Sequence, residues 1–205
     1  MRKIVLQMMT TLNGRLDDPM AWLHGVSDYQ YREIDHIYAS YDTVLVGRMT
    51  YEEMAAYWPA AVDEGTEANR SMARRMNAYR KLVFSRSGRH KLTEWENVEQ
   101  VVVRSDADLA KYLRELKARP GGDIHLSGGA SLAQSVIALD LVDEFRFFVY
   151  PVVSQGVSWF AKLPDKRDLQ LLSAGSYENG VVALHYVPRQ LATRAQPSSF
   201  ADLLM

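Results

Sequence analysis

The sequence predicts an α/β fold whose central sheet is mostly parallel and ends in an antiparallel hairpin. Through most of the chain, short apolar strand-like runs alternate with helical segments, an order typical of parallel strands joined by helices on both faces of the sheet. Near the end of the chain, strand-like runs follow one another directly. The sequence Glu178-Asn179-Gly180 between the last two is typical of a hairpin turn.

The predicted strands are short runs of apolar and β-branched residues, and turn signals separate several of them. Asn13-Gly14 follows the first strand, and both residues tolerate positive φ. The predicted strands span residues 4–9, 43–46, 81–84, 98–103, 124–126, 144–153, 169–176 and 181–187.

The predicted helices follow from apolar spacing and from capping signals. In the first, Tyr31, Ile34 and Tyr38 recur at helical spacing. In the second, Thr50 and Glu53 match a capping box at the helix start. The predicted helices span residues 28–40, 50–57, 67–79, 106–118 and 131–139.

The chain is predicted to form one domain with a C-terminal tail. A length of 205 residues suits a single hydrophobic core. Residues 1–187 contain all the predicted strands and helices, whereas residues 189–199 lack any periodicity. We therefore expect residues 188–205 to be an exposed, flexible tail, with a short docking helix over residues 200–205 as the alternative.

Charge and hydropathy exclude several classes of protein. The chain has 24 Lys and Arg against 25 Asp and Glu, a formal net charge of −1. A dedicated nucleic-acid-binding protein is usually strongly basic, so no such partner is expected. Apolar runs such as residues 101–103 are far shorter than the roughly 20 residues that cross a bilayer. The N-terminus lacks the apolar core of a secretory signal, which predicts a cytoplasmic protein.

The sequence offers no metal site. It contains no cysteine, which excludes disulfides, thiolate-bound zinc and cysteine nucleophiles. The five histidines form no paired ligand motif such as His-Glu-x-x-His. We therefore predict no bound metal ion.

Small and anion-binding residues follow three of the predicted strands. Residues 47–50 (Gly-Arg-Met-Thr) and 127–131 (Ser-Gly-Gly-Ala-Ser) each lead into a helix, and residues 85–88 (Ser-Arg-Ser-Gly) follow a third strand. In open α/β sheets, ligands bind at the carboxyl ends of strands, where helix N-termini offer unpaired N–H groups to phosphates. Arg48 and Arg86 would add planar donors suited to phosphate oxygens. The three segments together predict a ligand with several phosphates, such as a phosphorylated dinucleotide.

Each of these segments also has a purely structural explanation. Gly-Gly after a strand is often only a turn, the capping box explains Thr50, and the two arginines could simply be solvated. The sequence also lacks Gly-x-Gly-x-x-Gly after its first strand, and it lacks a P-loop. A standard Rossmann half and a P-loop nucleotidase are therefore disfavoured.

Five segments, in order along the chain, resemble a known family. They are residues 11–15 (Thr-Leu-Asn-Gly-Arg), 42–52 (Asp-Thr-Val-Leu-Val-Gly-Arg-Met-Thr-Tyr-Glu), 127–129 (Ser-Gly-Gly), 141–145 (Leu-Val-Asp-Glu-Phe) and 150–153 (Tyr-Pro-Val-Val). Together they resemble the dihydrofolate reductase-like superfamily. The nearer branch is the reductase domain of the bacterial bifunctional riboflavin-biosynthesis deaminase-reductase, with its stand-alone relatives.

The resemblance spans about residues 2–187, and it implies a three-layer α/β/α fold and an NADPH-dependent reductase. By position in the family, Gly47, Arg48 and Thr50 would hold the pyrophosphate. A second helix start would cradle the same group through Gly128, Gly129, Ala130 and Ser131. The positions that bind the adenosine 2′-phosphate would be Ser85 and Arg86, which would favour NADPH over NADH.

The substrate that the resemblance implies is a small pyrimidine- or pteridine-like molecule, as for a 5-amino-6-(5-phosphoribosylamino)uracil reductase. Two segments depart from the riboflavin pattern: Thr11-Leu12-Asn13-Gly14 stands where Ser-Leu-Asp-Gly is usual, and Ser127 stands where glutamate is usual. One alternative is dihydrofolate reductase proper, which needs a carboxylate on the first helix. Asp28 and Glu33 lie on that helix, but the family position falls close to Tyr31. A non-catalytic NADPH-binding module on the same fold is the other alternative.

For the chemistry, Asp28 is the predicted substrate-side acid, with a helix-start residue as its structural alternative. Asn13 and Trp22 are predicted to line the substrate side, with a turn residue and a core aromatic as alternatives. A homodimer is expected because relatives of this type often pair through the sheet. The aromatic strand over residues 145–150 is predicted to lie in the core or at the subunit interface.

Overall fold

The computed structural model describes residues 1–16, 18–23, 25–156, 158, 163 and 165–189. In this part of the chain one sheet of eight strands is flanked by five α-helices. The strands are β1 Ile4–Thr11, β2 Tyr41–Gly47, β3 Arg80–Ser85, β4 Val98–Val102, β5 Asp123–Gly128, β6 Glu144–Tyr150, β7 Leu169–Ser176 and β8 Val182–Pro188. The helices are α1 Asp28–Tyr38, α2 Arg48–Tyr57, α3 Glu67–Ala78, α4 Asp106–Ala118 and α5 Ala130–Ala138.

The strand order is β4-β3-β2-β5-β1-β6-β8-β7. The first six strands in this order run parallel, and β8 and β7 then pair antiparallel at one end. The prediction of a parallel sheet with a C-terminal antiparallel hairpin is confirmed. Because the first six strands are parallel, their carboxyl ends all lie at the same edge of the sheet.

Helices cover both faces of the sheet, which gives three layers. Alternate residues of β1 point to opposite faces, so that Ile4 and Leu6 lie in one buried cluster and Val5 in the other. The first cluster receives the apolar faces of α4 and α5, for example through Leu113. The second receives α1, α2 and α3, for example through Ile34.

Several predicted element ends differ from the structure by two or three residues, and those of α2 and β6 have a clear physical reason. The second helix begins at Arg48 with Gly47 as its N-cap, so Thr50 lies inside the first turn and makes no capping box with Glu53. Thr50 instead accepts a hydrogen bond from a neighbouring helix start. The strand β6 stops at Tyr150 because Pro151, which has no N–H, follows it.

The hairpin and the chain end follow the sequence patterns in part. Gly180 has a φ of +80° in the turn before β8, and the N–H of Tyr177 donates to the carbonyl of Val181. The last strand extends to Pro188, one residue beyond the predicted domain end. The predicted tail over residues 190–205 lies outside the described residues. Among the described helices, none combines the length and the apolar character needed to cross a membrane.

Candidate functional site

A cavity of about 510 Å³ lies at the carboxyl edge of the sheet, over β2, β3 and β5. It is lined by the starts of α2 and α5 and by the turn after β3. Of the nine residues predicted to bind the cofactor, the structure places eight around this cavity. They are Gly47, Arg48, Thr50, Ser85, Arg86, Gly129, Ala130 and Ser131.

Two helix N-termini meet in the wall of this cavity. The N-caps of α2 and α5 are Gly47 and Gly129, and neither makes a side-chain capping hydrogen bond. The Thr50 hydroxyl accepts a hydrogen bond of 3.1 Å from the N–H of Gly129, which ties the two helix starts together. The remaining N–H groups of both first turns are the donors that an anion could use, and both helix dipoles favour negative charge there.

The two glycine caps keep this wall open. A Cβ at Gly129 would lie 3.1 Å from the Thr50 hydroxyl, and a Cβ at Gly47 would lie 4.0 Å from the carbonyl oxygen of Gly128. A side chain at Gly129 would therefore press on the hydroxyl that joins the two helix starts, whereas at Gly47 its Cβ would make an ordinary contact with the start of α5. This close approach of backbone to backbone is the form of site that holds a phosphate.

Gly128, the ninth predicted residue, lies behind the wall and does not line the cavity. Its φ is +110°, and a Cβ there would lie 2.8 Å from the Cε of Met8. The pairing of β2 with β5 shifts register at this point, from Leu45 opposite Leu126 to Val46 opposite Gly128. The bulge leaves Ser127 unpaired with β2 and turns the chain into α5, so Gly128 shapes the cradle from behind.

The turn after β3 forms a third wall. The N–H of Gly88 donates to the Ser85 hydroxyl at 3.1 Å, and this folds residues 85–88 back towards β4. Arg86 is more than half exposed, and its Nη2 lies 2.7 Å from Oδ1 of Asp106, the first residue of α4. Arg48 makes no hydrogen bond or ion pair with any other described residue, so its guanidinium is available to a ligand.

The rest of the β3–β4 connection is held firmly by buried side chains. The Tyr51 hydroxyl donates to the carbonyl of Thr93 at 2.5 Å, and the Trp95 indole donates to Asn77 at 2.6 Å. Lys81 is fully buried, donates to the carbonyl of Glu96 and lies over the Trp95 ring. Burial lowers the pKa of Lys81 to about 8. The connection is thus anchored from α2, α3 and β3, while its first residues face the cavity.

Of the predicted substrate-side residues, Asn13 joins two loops at the carboxyl ends of β1 and β6. Its amide donates to the carbonyl of Ser154 at 2.8 Å and accepts from the Thr11 hydroxyl at 2.8 Å. Trp22 is 1% exposed and packs edge-on against Tyr150 with ring centroids 5.8 Å apart. Trp22 is therefore a core aromatic, and its ring is closed to a bound molecule. Asp28 is exposed at the first position of α1.

Next to these residues Gln30 and Tyr150 form a buried polar pair, whereas Nδ1 of the buried His125 has no hydrogen-bond partner among the described residues. The amide of Gln30, fully buried on α1, donates to the Tyr150 hydroxyl at 3.1 Å. Burial raises the pKa of Tyr150 to about 12, so this hydroxyl is protonated at neutral pH. On the same face of the sheet His125 lies between Tyr38 and Tyr41, and burial lowers its pKa to about 4.

Several lining residues were not predicted from the sequence. They are Met49, Phe84, Ser87, His90, Val103, Leu109, Leu132 and Ser135. Val103 and Leu109 reach the cavity because β4 pairs with β3. The sequences of these two strands do not by themselves show that the strands are neighbours. Ser87 could have been found, since it lies inside the Ser-Arg-Ser-Gly segment already singled out. Among the described residues no cluster of three or more His, Asp or Glu could hold a metal ion.

The sheet order and the three layers are those of the dihydrofolate reductase-like fold. A dihydrofolate reductase from Enterococcus faecalis, complexed with NADP(H), superimposes with a TM-score of 0.59 at 11% identity, covering 92% of this chain and 97% of the other. A pyrimidine reductase-like protein from Corynebacterium diphtheriae gives a TM-score of 0.66 at 17% identity, covering 92% of both chains.

The chain belongs to the RibD C-terminal domain family, a family of reductase domains, whose model matches residues 2–183. It is also 30% identical over 190 residues to the uncharacterized protein YyaP of Bacillus subtilis (strain 168). That match covers 90% of this chain and 94% of YyaP. The resemblance expected from the five sequence segments is confirmed.

Proposed function

We propose that the protein is an NADPH-dependent oxidoreductase that reduces a small pyrimidine- or pteridine-like molecule, of the 5-amino-6-(5-phosphoribosylamino)uracil reductase type. The observation that carries the proposal is the pair of glycine-capped helix starts, tied together through Thr50 and Gly129, at the carboxyl edge of the sheet. Family membership supports the reductase class. The NADP(H) complex of the Enterococcus faecalis neighbour supports the choice of cofactor.

The residues around the cavity fit a dinucleotide. The first turns of α2 and α5 would hold the pyrophosphate through backbone N–H groups, with Arg48 as a neutralising side chain. At the third wall, Ser85 and Arg86 would hold the adenosine 2′-phosphate. The apolar residues Phe84, Val103 and Leu109 between these donors would cover the adenine ring.

The protein's contribution to catalysis is binding, orientation and exclusion of water. NADPH supplies the hydride when it is bound, and the chain brings it against an electrophilic carbon of the substrate. Asp28 is the proposed acid for the proton that must accompany the hydride. It is exposed at the start of α1, which follows the carboxyl end of β1 and therefore lies at the same edge of the sheet as the cradle.

The first experiment is a titration of the purified protein with NADPH and with NADH, followed by quenching of its four tryptophans. Arg48→Gln should lower the affinity for both dinucleotides by about tenfold, since a hydrogen bond to a charged group contributes about 1.5–3 kcal/mol. Ser85→Ala should weaken NADPH alone. Asp28→Asn should lower kcat in an acceptor screen and leave the Kd for NADPH unchanged.

The outcomes separate the parts of the proposal. Unchanged affinity in both the Arg48 and the Ser85 variants would refute the cradle assignment. Binding of NADPH without turnover on pyrimidine or pteridine acceptors would favour the non-catalytic module. Equal binding of NADH and NADPH would refute the 2′-phosphate site alone.

Dihydrofolate reductase proper is the weaker candidate. It needs a carboxylate on α1 that points into the folate pocket. Asp28 is exposed at the first position of the helix, and the buried polar residue of α1 is Gln30, whose amide is bonded to Tyr150. Glu33 accepts hydrogen bonds from Tyr29 and Tyr177 at 3.0 and 2.7 Å and is not free for this role. Rapid turnover of dihydrofolate in the acceptor screen would reverse this ranking.

We also propose a homodimer, paired through the β7–β8 end of the sheet. The aromatic strand β6 takes the core position, one of the two predicted for it, because Phe145, Phe148 and Tyr150 are buried. The exposed apolar side chains lie instead on β7, where Leu171 and Leu172 are half exposed on an edge strand. Light scattering should show a dimer that Leu171→Lys with Leu172→Lys converts to a monomer, whereas the exposed control Val153→Lys should not. A monomeric wild type would refute this.

A further inference from the structure

The ion pair between Arg86 and Asp106 stands at the outer wall of the cavity. Both side chains are more than half exposed, and the Arg86 Nη2 to Asp106 Oδ1 distance is 2.7 Å. Asp106 also lies three residues before Leu109 on α4, and residues at that spacing share a helix face. Arg86 and Leu109 both line the cavity, whereas Asp106 lies just outside the lining and reaches it through the guanidinium that it holds.

Helix capping does not account for Asp106. The start of α4 is closed by Ser105 and Asp108, whose side chains satisfy each other's backbone N–H groups at 3.1 and 3.0 Å. The Asp108 carboxylate also accepts from the N–H of Arg104 at 3.1 Å. The capping box is therefore complete without Asp106, whose carboxylate accepts a hydrogen bond from Arg86 and from no other side chain among the described residues.

We propose that Asp106 is a specificity-determining residue that reduces the preference of the site for NADPH over NADH. The inference rests on the proposed function, because it requires Arg86 to face the 2′ position of the adenosine ribose. A 2′-phosphate that reaches Arg86 must displace Asp106 from the guanidinium or share the guanidinium with it. In either case the phosphate and the carboxylate repel each other. The ribose hydroxyl of NADH carries no charge, and it can donate a hydrogen bond to the same carboxylate.

The consequence is a change in selectivity that leaves the pyrophosphate cradle untouched. Removing the Asp106 charge frees Arg86 for the phosphate and removes the repulsion. Only the affinity for the phosphorylated dinucleotide should therefore rise. Removing Arg86 does the opposite. Because both groups are exposed, the gain should shrink as salt rises.

The test uses the full chain and four probes: NADPH, NADH, 2′,5′-ADP and 5′-AMP, titrated by calorimetry. Asp106→Asn should raise the affinity for NADPH and 2′,5′-ADP by about fivefold at low salt, which is the size of an interaction between exposed charges. NADH and 5′-AMP should change by less than about twofold. Arg86→Gln should weaken NADPH and 2′,5′-ADP and leave the other two probes unchanged. Asp106→Ser serves as a second variant, and the thermal midpoint of each variant checks folding.

Glu67→Gln is the matched charge control, since Glu67 is also an exposed acid in a first helical turn but belongs to α3 on the other face of the sheet. It should leave the ratio of NADPH to NADH affinity unchanged. An unchanged or lower ratio in Asp106→Asn, with wild type still binding NADPH, overturns the role of Asp106 and leaves the proposed function standing. If the wild-type protein binds neither dinucleotide, both the proposed function and the role of Asp106 are refuted.

Discussion

The two halves of the carboxyl edge are built in different ways. Over β2 and β5 the wall consists of backbone, with glycines at two helix starts and one hydroxyl bridge between Thr50 and Gly129. Over β1 and β6 the edge is closed by side chains, with Asn13 bonded to Ser154 and the buried Gln30 to Tyr150. The first half is open to an anion, and the second is largely satisfied within itself.

The difference shows which kind of site can be read from a sequence. A backbone site depends on local features, namely a strand end, a glycine and a helix start, and these are adjacent in the chain. A side-chain site depends on which groups the fold turns towards each other. We therefore expect substitutions in the first half to act on ligand binding, and substitutions of the paired side chains Asn13, Gln30 and Tyr150 in the second half to act on stability.

The largest expected effect concerns stability away from both halves of the edge, at His125 of β5, which is buried against Tyr38 and Tyr41. The folded state keeps His125 neutral down to pH about 4, whereas the unfolded chain takes up the proton below about 6.5. The unfolded state therefore binds more protons in this window, and the free energy of unfolding falls as pH falls from 6.5 to 4, by about 3 kcal/mol in total. Denaturant unfolding at several pH values measures this loss.

His125→Phe keeps an aromatic ring between Tyr38 and Tyr41 but cannot titrate, so its loss of stability over this window should be smaller than that of wild type. His36→Gln, at an exposed position near the end of α1, should keep the wild-type slope. The same slope in His125→Phe as in wild type would show that other groups cause the acid sensitivity.

The next effect concerns the open half. Gly129→Val should weaken NADPH and NADH alike by about 100-fold, because the new side chain meets the Thr50 hydroxyl and covers the donors of α5. The matched control is Gly175→Val on β7, where a Cβ meets nothing within 4 Å. Fluorescence titration measures both. Full affinity in Gly129→Val would mean that the dinucleotide does not lie on this helix start.

The smallest expected effect is a loss of stability when the hydrogen bond between Gln30 and Tyr150 is removed. Gln30→Leu leaves the buried Tyr150 hydroxyl without its nitrogen donor and should cost about 1–3 kcal/mol of stability, with little change in NADPH affinity. Combining it with Tyr150→Phe should cost less than the two single changes added together, since neither partner is then left unpaired. Chemical denaturation checks this. Additive costs would contradict the pairing, and a lost NADPH site would contradict the separation of the two halves.

The sequence predicted the strand and helix order, and eight of the nine residues that it assigned to cofactor binding lie around one cavity. It predicted that Thr50 caps α2, because Thr-Tyr-Glu-Glu matches a capping box. In the structure the Thr50 hydroxyl accepts from Gly129 at the start of another helix. It also assigned Trp22 to the substrate side. A tryptophan in a polar stretch carries no local sign of the core position that it takes against Tyr150.

What the sequence determined by itself is therefore what local chemistry decides: the parallel α/β architecture, the hairpin at the end, and glycines and hydroxyls at helix starts. Only the tertiary structure decided that Gly129 meets Thr50, that Asp106 meets Arg86, and that Gln30 meets Tyr150. These pairs are separated by 79, 20 and 120 positions. Contacts over such distances depend on the strand order, which is set by the burial of the whole sheet rather than by any one segment.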